Sequence, residues 1–310
     1  MKEDLLDLRN LTKNKIKELI DLALDIKQNP EKYNSKLNKK TLLMIFEKPS
    51  LRTRVSFETG MTQMGGHAIY YDLSTSPMGK KECIADTAKT ASRYVEIIMA
   101  RLFKHENITQ LAKNSSIPII NALTNFSHPC QILSDLLTIT EKKCQLNGLK
   151  LTYLGDANNN VTHSLLFGCA AAGINITVSC PSEEGFSPLP EVLDKSKNMA
   201  QITGSTIEVN NDPKQAVKNA DIIYTDSWMS YHIKDEEKEK RFKILIPYQV
   251  NNELLQLAKE DVIFMNCLPA MRGMEQTAEV IDGLQSVVFD QAENRLHMQK
   301  AIILNLLKIK

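Results

Sequence analysis

Apolar residues in the first half of the chain fall into two alternating patterns. Between positions 11 and 29 they recur every three or four residues after Thr12, a residue suited to an N-cap, which predicts an amphipathic helix. The run TLLMIFE at 41–47 is almost continuously apolar, which is typical of a buried strand. The same patterns predict strands at 68–73, 97–100 and 117–121, and helices at 55–64, 84–94 and 108–113.

The second half of the chain repeats this alternation. A long helix at 129–139 leaves the first series, and apolar runs then predict strands at 150–154, 176–179, 206–209, 222–225 and 262–266, with helices at 160–172 and 292–307. Strands that alternate with helices form parallel sheets covered on both faces. The predicted fold class is therefore α/β, with two doubly wound parallel-sheet domains joined by long helices. The expected domains are 1–140, completed by the C-terminal helix 292–310, and 141–291.

Composition limits the partners and the location. The chain has 310 residues, which suits two domains, and 38 basic against 37 acidic residues, which gives no excess charge for binding nucleic acid or an anionic membrane. Its six cysteines form no CxxC pair, so we expect reduced thiols. The N-terminus has no apolar signal core, and no apolar run is long enough to span a membrane. These features predict a cytoplasmic protein.

The segment Ser50-Leu51-Arg52-Thr53-Arg54 lies between a predicted strand and a predicted helix. A helix N-terminus offers unpaired N–H groups and a partial positive charge, and so accepts an anion. Hydroxyl groups and a guanidinium group add donors that suit phosphate oxygens. The alternative is an ordinary capped helix with surface arginines. The position at the end of a buried strand in a parallel sheet favours the anion site.

No metal or cofactor is expected. The chain shows no cluster of His, Cys, Asp and Glu with metal-ligand spacing. A nicotinamide dehydrogenase would share the predicted fold, but it needs G-x-G-x-x-G after a strand, and the segment GDANNN at 155–160 supplies a single glycine. Dinucleotide chemistry is therefore disfavoured.

The segment FEKPSLRTRVSFETG at 46–60 resembles the carbamoyl-phosphate loop of the aspartate and ornithine carbamoyltransferases. The resemblance continues in family order through FSHPCQILSDLLT at 126–138, GDANNNVTHSLL at 155–166 and FMNCLPAMRG at 264–273, and ends with FDQAENRLHMQKA at 289–301. His-Pro-Cys-Gln and Asn-Cys-Leu-Pro favour the ornithine branch of the family. The resemblance implies that 1–140 binds carbamoyl phosphate and that 141–291 binds the amino acid, whose carbamoylation gives citrulline and phosphate.

The resemblance also implies roles for individual residues around carbamoyl phosphate. The loop at 50–53 would hold the phosphate, Arg101 would reach phosphate and carbonyl oxygen, and His128 would donate to that oxygen. Gln131 would hold the carbamoyl amide and Arg295 would close over the carbonyl side. The whole implied set is Ser50, Leu51, Arg52, Thr53, Arg101, His128, Gln131, Cys267, Leu268 and Arg295. The donors would stabilise the oxyanion of a tetrahedral intermediate, so neither a covalent nucleophile nor a metal is required.

On the acceptor side, the resemblance implies that Asn160 binds the amino-acid carboxylate and that Asp226 and Cys267 face the reacting amine. Ser230 would bind the α-amino or carboxylate group, with Tyr231 beside it. The implied catalytic residues are Arg101, His128, Asp226 and Cys267. The family also implies a homotrimer, or a multiple of trimers, with a lysine-rich loop at 76–82 reaching the neighbouring subunit.

Several positions depart from the family pattern. Leu51 replaces a threonine, Pro77 a glutamine, and Asn266 a histidine, while Tyr231 and His232 replace Met-Gly in the acceptor loop. A larger residue and a side chain that reaches positive φ less freely than glycine could reshape that loop. The acceptor could then be putrescine or an acylated ornithine, and a non-catalytic binding relative is a further alternative. The charged run at 234–241 is predicted to be a solvated helix face.

Overall fold

The computed structural model describes residues 2–75, 78, 81–229 and 235–309. The chain divides into two compact units, Met1–Leu137 with Glu293–Lys310, and Thr138–Ala292. In the part of the chain that the structure describes, no helix combines the length and apolar character needed to cross a bilayer.

The first unit is built on a parallel sheet of four strands. In chain order these are β1 (Thr41–Phe46), β2 (His67–Asp72), β3 (Ile97–Arg101) and β4 (Ile119–Leu123), arranged β2-β1-β3-β4. Its helices are α1 (Lys13–Gln28), α2 (Leu51–Gln63), α3 (Ile84–Ala91), α4 (His105–Asn114) and the start of α5 (Pro129–Lys143). Since β2 and β3 lie on opposite sides of β1, the direction in which strands are added to the sheet reverses at β1. The carboxyl ends of β1 and β3 flank this switch point.

The second unit is built on a parallel sheet of five strands. These are β5 (Lys150–Leu154), β6 (Asn175–Ser179), β7 (Ile207–Val209), β8 (Ile222–Thr225) and β9 (Ile263–Asn266), arranged β7-β6-β5-β8-β9. Its helices are α6 (Asn160–Ala172), α7 (Pro190–Thr203), α8 (Pro213–Ala216), α9 (Lys238–Leu245), α10 (Asn252–Leu255), α11 (Ala278–Ile281) and the start of α12 (Val288–Leu306). The order reverses between β5 and β8, which makes that edge the place where a doubly wound sheet binds ligands.

The predicted fold class is confirmed, since both sheets are parallel and α/β. Several bounds match closely: β5 and β8 fall where predicted, and α6 ends at Ala172 because Gly173 follows it with a left-handed φ of 83°. The apolar pattern does not predict α7, which buries few large apolar side chains. The last helix begins at Val288 rather than at 292.

Candidate active site

The segment predicted to bind phosphate, residues 50–54, which we call the phosphate loop, lies at the start of α2. Only residues 47–50 separate α2 from the end of β1. Ser50 is the N-cap, and its Oγ accepts the backbone N–H of Thr53 at 3.3 Å. The hydroxyl oxygens of Ser50 and Thr53 lie 3.1 Å apart. Leu51, the first residue of the helix, is 75% exposed and offers only its backbone to a ligand. The loop therefore presents hydroxyl groups and helix-start amides at the carboxyl end of the sheet.

Two buried arginines from distant segments meet at Thr53. Arg101, the last residue of β3, donates from Nη1 to Thr53 Oγ1 at 3.4 Å, and Arg295 of α12 donates from Nη2 to the same oxygen at 3.3 Å. Their exposed fractions are only 6% and 2%. Arg101 reaches this point because β1 and β3 pair in register, with Phe46 opposite Arg101. Two guanidinium groups thus lie against the start of a helix, which suits a phosphate group.

His128 and Gln131 add donors at the start of α5. Gln131 Oε1 accepts from Arg295 Nη1 at 2.6 Å, and its Nε2 donates to Asp135 Oδ1 at 2.9 Å. Burial lowers the pKa of His128 well below 6.5, and the charges of nearby cations lower it further; these are Arg295, Arg101, Arg52 and Lys48. The imidazole is therefore neutral at pH 7 and can donate one N–H. The same four cations mark a positive potential around it.

Gln299 belongs to this group although the sequence reasoning did not identify it. With its amide oxygen turned toward Arg295, that oxygen accepts from Nη2 at 3.1 Å and from Nε at 3.2 Å. The amide nitrogen then donates to Ser56 Oγ at 2.6 Å. Gln299 lies four residues after Arg295 on one helix, so helical spacing was the signal that could have found it.

The second unit places three loops at the carboxyl edge of its sheet. Asn160 is the first residue of α6, after the N-cap Asn159, whose Oδ1 accepts the Thr162 N–H at 2.9 Å. Asp226 directly follows β8, and Cys267 directly follows β9. Because β8 pairs with both β5 and β9, these loops are neighbours along the sheet edge. All three residues are half-buried.

The amine-facing pair predicted from the sequence comes together in this unit. Cys267 Sγ donates to Asp226 Oδ1 at 3.1 Å. A second carboxyl group, on Glu275, accepts the backbone N–H of Met271 at 2.9 Å. Burial is the main cause that raises the pKa of Glu275 to about 7; the charge of Asp226 contributes to the rise, and backbone hydrogen bonds oppose it. This edge of the second unit is therefore acidic.

Asn266, where the family usually has histidine, is the buried anchor of the loop after β9. Its Oδ1 accepts the Leu268 N–H at 2.8 Å, which supports the left-handed φ of 58° at Leu268. Its Nδ2 donates to Gln276 Oε1 at 3.0 Å, and its backbone N–H donates to Gln291 Oε1 at 3.0 Å. The departure is thus accommodated by amide partners that hold Cys267 and Leu268 in place.

Some predicted positions lie outside the described residues: Ser230, Tyr231, His232, Pro77 and Lys80. The charged run at 234–241 needs a correction in its last residue. Its residues 236–240 are exposed, but Arg241 is half-buried and pairs with Asp156. Among residues 2–75, 78, 81–229 and 235–309, no group of three His, Cys, Asp or Glu side chains could hold a metal ion.

Two family models match the chain. The model for the carbamoyl-P binding domain of aspartate/ornithine carbamoyltransferase matches residues 3–141. The model for the Asp/Orn binding domain of the same enzymes matches residues 147–306. The phosphate loop thus lies in the first match, and Asp226 and Cys267 lie in the second.

Individual relatives agree. The ornithine carbamoyltransferase of Anoxybacillus flavithermus is 48% identical to this chain. The alignment covers 98% of this chain and 96% of that relative. The structure of ornithine carbamoyltransferase from Pyrococcus furiosus has a TM-score of 0.93 at 46% identity, over 98% of this chain and 96% of that one. The structure of ornithine transcarbamoylase from Giardia lamblia has a TM-score of 0.91 at 43% identity, over 99% of this chain and 98% of that one. The resemblance seen in the sequence is confirmed: the chain belongs to the aspartate/ornithine carbamoyltransferase family.

Proposed function

We propose that the protein transfers the carbamoyl group of carbamoyl phosphate to the side-chain amine of L-ornithine, giving L-citrulline and phosphate. The observation that carries the proposal is the convergence of Arg101 and Arg295 on Thr53 at the start of α2. The full-length similarity to ornithine carbamoyltransferases supports it.

The first unit supplies what carbamoyl phosphate needs. Its phosphate lies at the N-terminus of α2 against Ser50, Arg52 and Thr53, where amides, hydroxyl groups and a guanidinium group meet. The charge of Arg52 reaches His128, so these groups share one positive region. A dianionic phosphate is stabilised there by charge-assisted hydrogen bonds.

The same unit stabilises the transition state. The ornithine amine attacks the carbamoyl carbon, and the carbonyl oxygen gains negative charge. His128 donates a neutral N–H to that oxygen, and Arg101 and Arg295 add positive charge, while Gln131 binds the carbamoyl amide. When the bond from carbon to the phosphate oxygen breaks, the departing phosphate accepts the proton that the amine loses. Fixed donors aimed at a developing oxyanion supply the rate enhancement.

The second unit supplies the acceptor contacts. Asn160 binds the α-carboxylate, Ser230 and Tyr231 line the amino-acid end, and Asp226 and Cys267 face the side-chain amine. The carboxylate of Asp226 attracts and orients the protonated side-chain amine, which releases one proton to solvent before it attacks. The second proton, lost as the C–N bond forms, is the one that the departing phosphate accepts. Cys267 donates to the Asp226 carboxylate at 3.1 Å and so fixes its position.

We also propose a homotrimer, or a multiple of trimers, in the cytoplasm. Apolar side chains on α2 support a subunit contact, because Leu51 is 75% and Val55 50% exposed. The six cysteines are all free thiols, in keeping with a reducing compartment. Sedimentation equilibrium tests the assembly: a trimer mass is expected, and a fully active monomer at low concentration would refute it.

The function is tested by following products. Purified protein with carbamoyl phosphate and ornithine should release citrulline and phosphate in equal amounts, and neither above background when ornithine is omitted. Saturable ornithine binding without turnover would identify a non-catalytic binding relative instead. Phosphate release that does not depend on ornithine would indicate hydrolysis and contradict transfer.

A further inference from the structure

Arg241 lies at the end of a charged run, yet its side chain contacts three separate parts of the second unit. Its Nη2 pairs with Asp156 Oδ2, and its Nε donates to the backbone carbonyl of Trp228 at 3.1 Å. Its guanidinium plane lies over the ring of Phe186, 4.8 Å from the centroid. The side chains of the ion pair are 12% and 6% exposed, so Arg241 is a largely desolvated charge.

Asp156 belongs to the turn that leads into Asn160. Its Oδ1 accepts the Asn158 N–H at 3.0 Å, and its backbone carbonyl accepts from Tyr153 Oη at 2.7 Å. Phe186 is joined to the same turn, because its carbonyl accepts the Ala157 N–H at 2.9 Å. Arg241 therefore contacts the turn that leads into Asn160, the residue assigned to the acceptor carboxylate.

Trp228 belongs to the acceptor loop, of which the structure describes residues 226–229. It is 1% exposed and meets Phe242 edge-on, with ring centroids 5.9 Å apart. Its Nε1 lies 3.0 Å from the position that a side-chain carbon would take at Gly155, whose φ is 124°. Gly155 therefore leaves room for the indole ring, and the ring rests against the same turn that Asp156 belongs to.

We propose that Arg241 is a positioning residue that holds the acceptor loop at Trp228 against the turn 155–160 and thereby determines how well the acceptor binds. This inference deepens the proposed function and rests on it for the identity of the acceptor. The residues that Arg241 joins stand near two of the assigned acceptor contacts: Asp156 precedes Asn160 in one turn, and Trp228 follows Asp226 by two residues.

A purely stabilising role makes a different prediction. A buried ion pair between a helix, here α9, and a turn adds little net stability over an apolar replacement, because desolvating both charges offsets their attraction. It does fix one geometry, since the guanidinium group must satisfy a carboxylate, a carbonyl and a ring face together. If positioning is the role, acceptor binding changes more than carbamoyl phosphate binding.

The chain provides a direct probe, because Trp228 is its single tryptophan. Arg241→Met removes the charge and the donors but keeps an unbranched apolar side chain. Acrylamide quenching of tryptophan fluorescence should rise several-fold in this variant, with the emission maximum shifted to the red. Arg241→Lys keeps the charge opposite Asp156 but loses the planar fork, and it should fall between wild type and Arg241→Met.

Lys259→Met is the matched control. Lys259 Nζ pairs with the buried Asp221 at 2.6 Å, at the amino end of β8, whereas Asp226 follows the carboxyl end of the same strand. The control removes the partner of a buried carboxylate in the same unit, although its cation is 45% exposed, and it leaves the acceptor loop alone. Its tryptophan quenching and its kinetics should equal those of wild type, and thermal unfolding of all variants monitors folding.

Kinetics then test the consequence. In Arg241→Met the ornithine KM should rise by about tenfold to a hundredfold, as expected when a binding group is displaced by about 1 Å, while the carbamoyl phosphate KM stays within about twofold. A folded Arg241→Met protein with unchanged quenching, or with unchanged kcat/KM for ornithine, overturns the proposal. A wild-type protein that makes no citrulline overturns the proposed function instead, and the quenching measurement still decides whether Arg241 anchors Trp228.

Discussion

The two units present opposite charge at the carboxyl edges of similar parallel sheets. In the first unit, Arg101 and Arg295 meet at the start of α2. In the second unit, the corresponding edge carries the carboxyl groups of Asp226 and Glu275 with the thiol of Cys267. One sheet architecture thus serves an anionic substrate and a cationic one, and the side chains that follow the strands decide which.

The pKa shift of one buried side chain in each unit reflects the same contrast in charge. The positive region of the first unit lowers the pKa of His128, beyond the effect of burial. The acidic region of the second unit raises the pKa of Glu275, again beyond the effect of burial. The positive region of the first unit keeps the imidazole of His128 neutral, so that it can donate a hydrogen bond. The acidic region of the second unit keeps the Glu275 carboxyl group partly protonated near neutral pH.

The largest expected effect comes from removing a charge in the first unit. Arg101→Met should lower kcat about a thousandfold, because it deletes a buried donor at both the phosphate and the developing oxyanion. Product formation under saturating substrates measures the loss. Arg54→Met is the control: its exposed guanidinium group pairs with Glu58 at 3.0 Å, and its loss should be at least about tenfold smaller. Equal losses in the two variants would argue against the assignment of Arg101.

The second effect belongs to the acidic region. Asp226→Asn should lower kcat/KM for ornithine about a hundredfold, since the amine loses a charged partner worth about 1.5–3 kcal/mol. Binding of carbamoyl phosphate, measured by calorimetry, should stay the same, because its phosphate and carbonyl contacts are assigned to the other unit. Loss of carbamoyl phosphate affinity in this variant would break the division of roles between the units.

A smaller effect is expected from Gln299, which acts through Arg295. Gln299→Leu should lower kcat about tenfold, because the guanidinium group loses two oxygen contacts at 3.1 and 3.2 Å but stays in place through Gln131. Gln299→Glu is the informative partner variant, since its charge also neutralises Arg295 and should raise the carbamoyl phosphate KM as well. Wild-type kinetics in both variants would show that Gln299 has no part in the site.

The smallest effect is a pH-dependent stability difference. The folded pKa of Glu275, about 7, exceeds the ordinary value of 4.5, so its contribution to stability is full below 4.5 and is lost as pH rises through 7. Glu275→Gln never ionises and can still accept the Met271 N–H. It should therefore match wild type near pH 4.5 and exceed it by about 1–3 kcal/mol at pH 8. Denaturant unfolding at both pH values measures this, and equal stabilities at pH 8 would contradict a buried Glu275 carboxyl.

Local patterns in the sequence predicted much of the fold and part of the site. Largely apolar runs marked β1, β5 and β8, since a strand buried on both faces needs no alternation. The phosphate loop was visible because its donors follow a strand and begin a helix. His128 and Gln131 stand three residues apart on one helix face, so their proximity also follows from local geometry.

Contacts between distant segments were not predictable from the same patterns. Arg295 meets Thr53 across 242 positions, and only the folded first unit brings them together. Arg241 lies in a charged run that suggests a solvent-exposed side chain. Its ion pair with Asp156, 85 positions away, instead holds the side chain in a largely buried place. Asn266 departs from the family's histidine, and the fold of the segment after β9 supplies Gln276 as its amide partner. In each case the partner is set by tertiary packing rather than by spacing.

The most direct test of the central claim is kcat/KM for three acceptors under identical conditions: ornithine, putrescine and N-acetylornithine. Putrescine lacks the carboxylate assigned to Asn160, and the acetyl group blocks the α-amine. Each analogue loses one charged contact, worth about 1.5–3 kcal/mol, so ornithine should be preferred over either by roughly tenfold to a hundredfold. A higher value for putrescine or N-acetylornithine would contradict ornithine as the acceptor, and no carbamoyl transfer to any of the three would contradict the proposed activity itself.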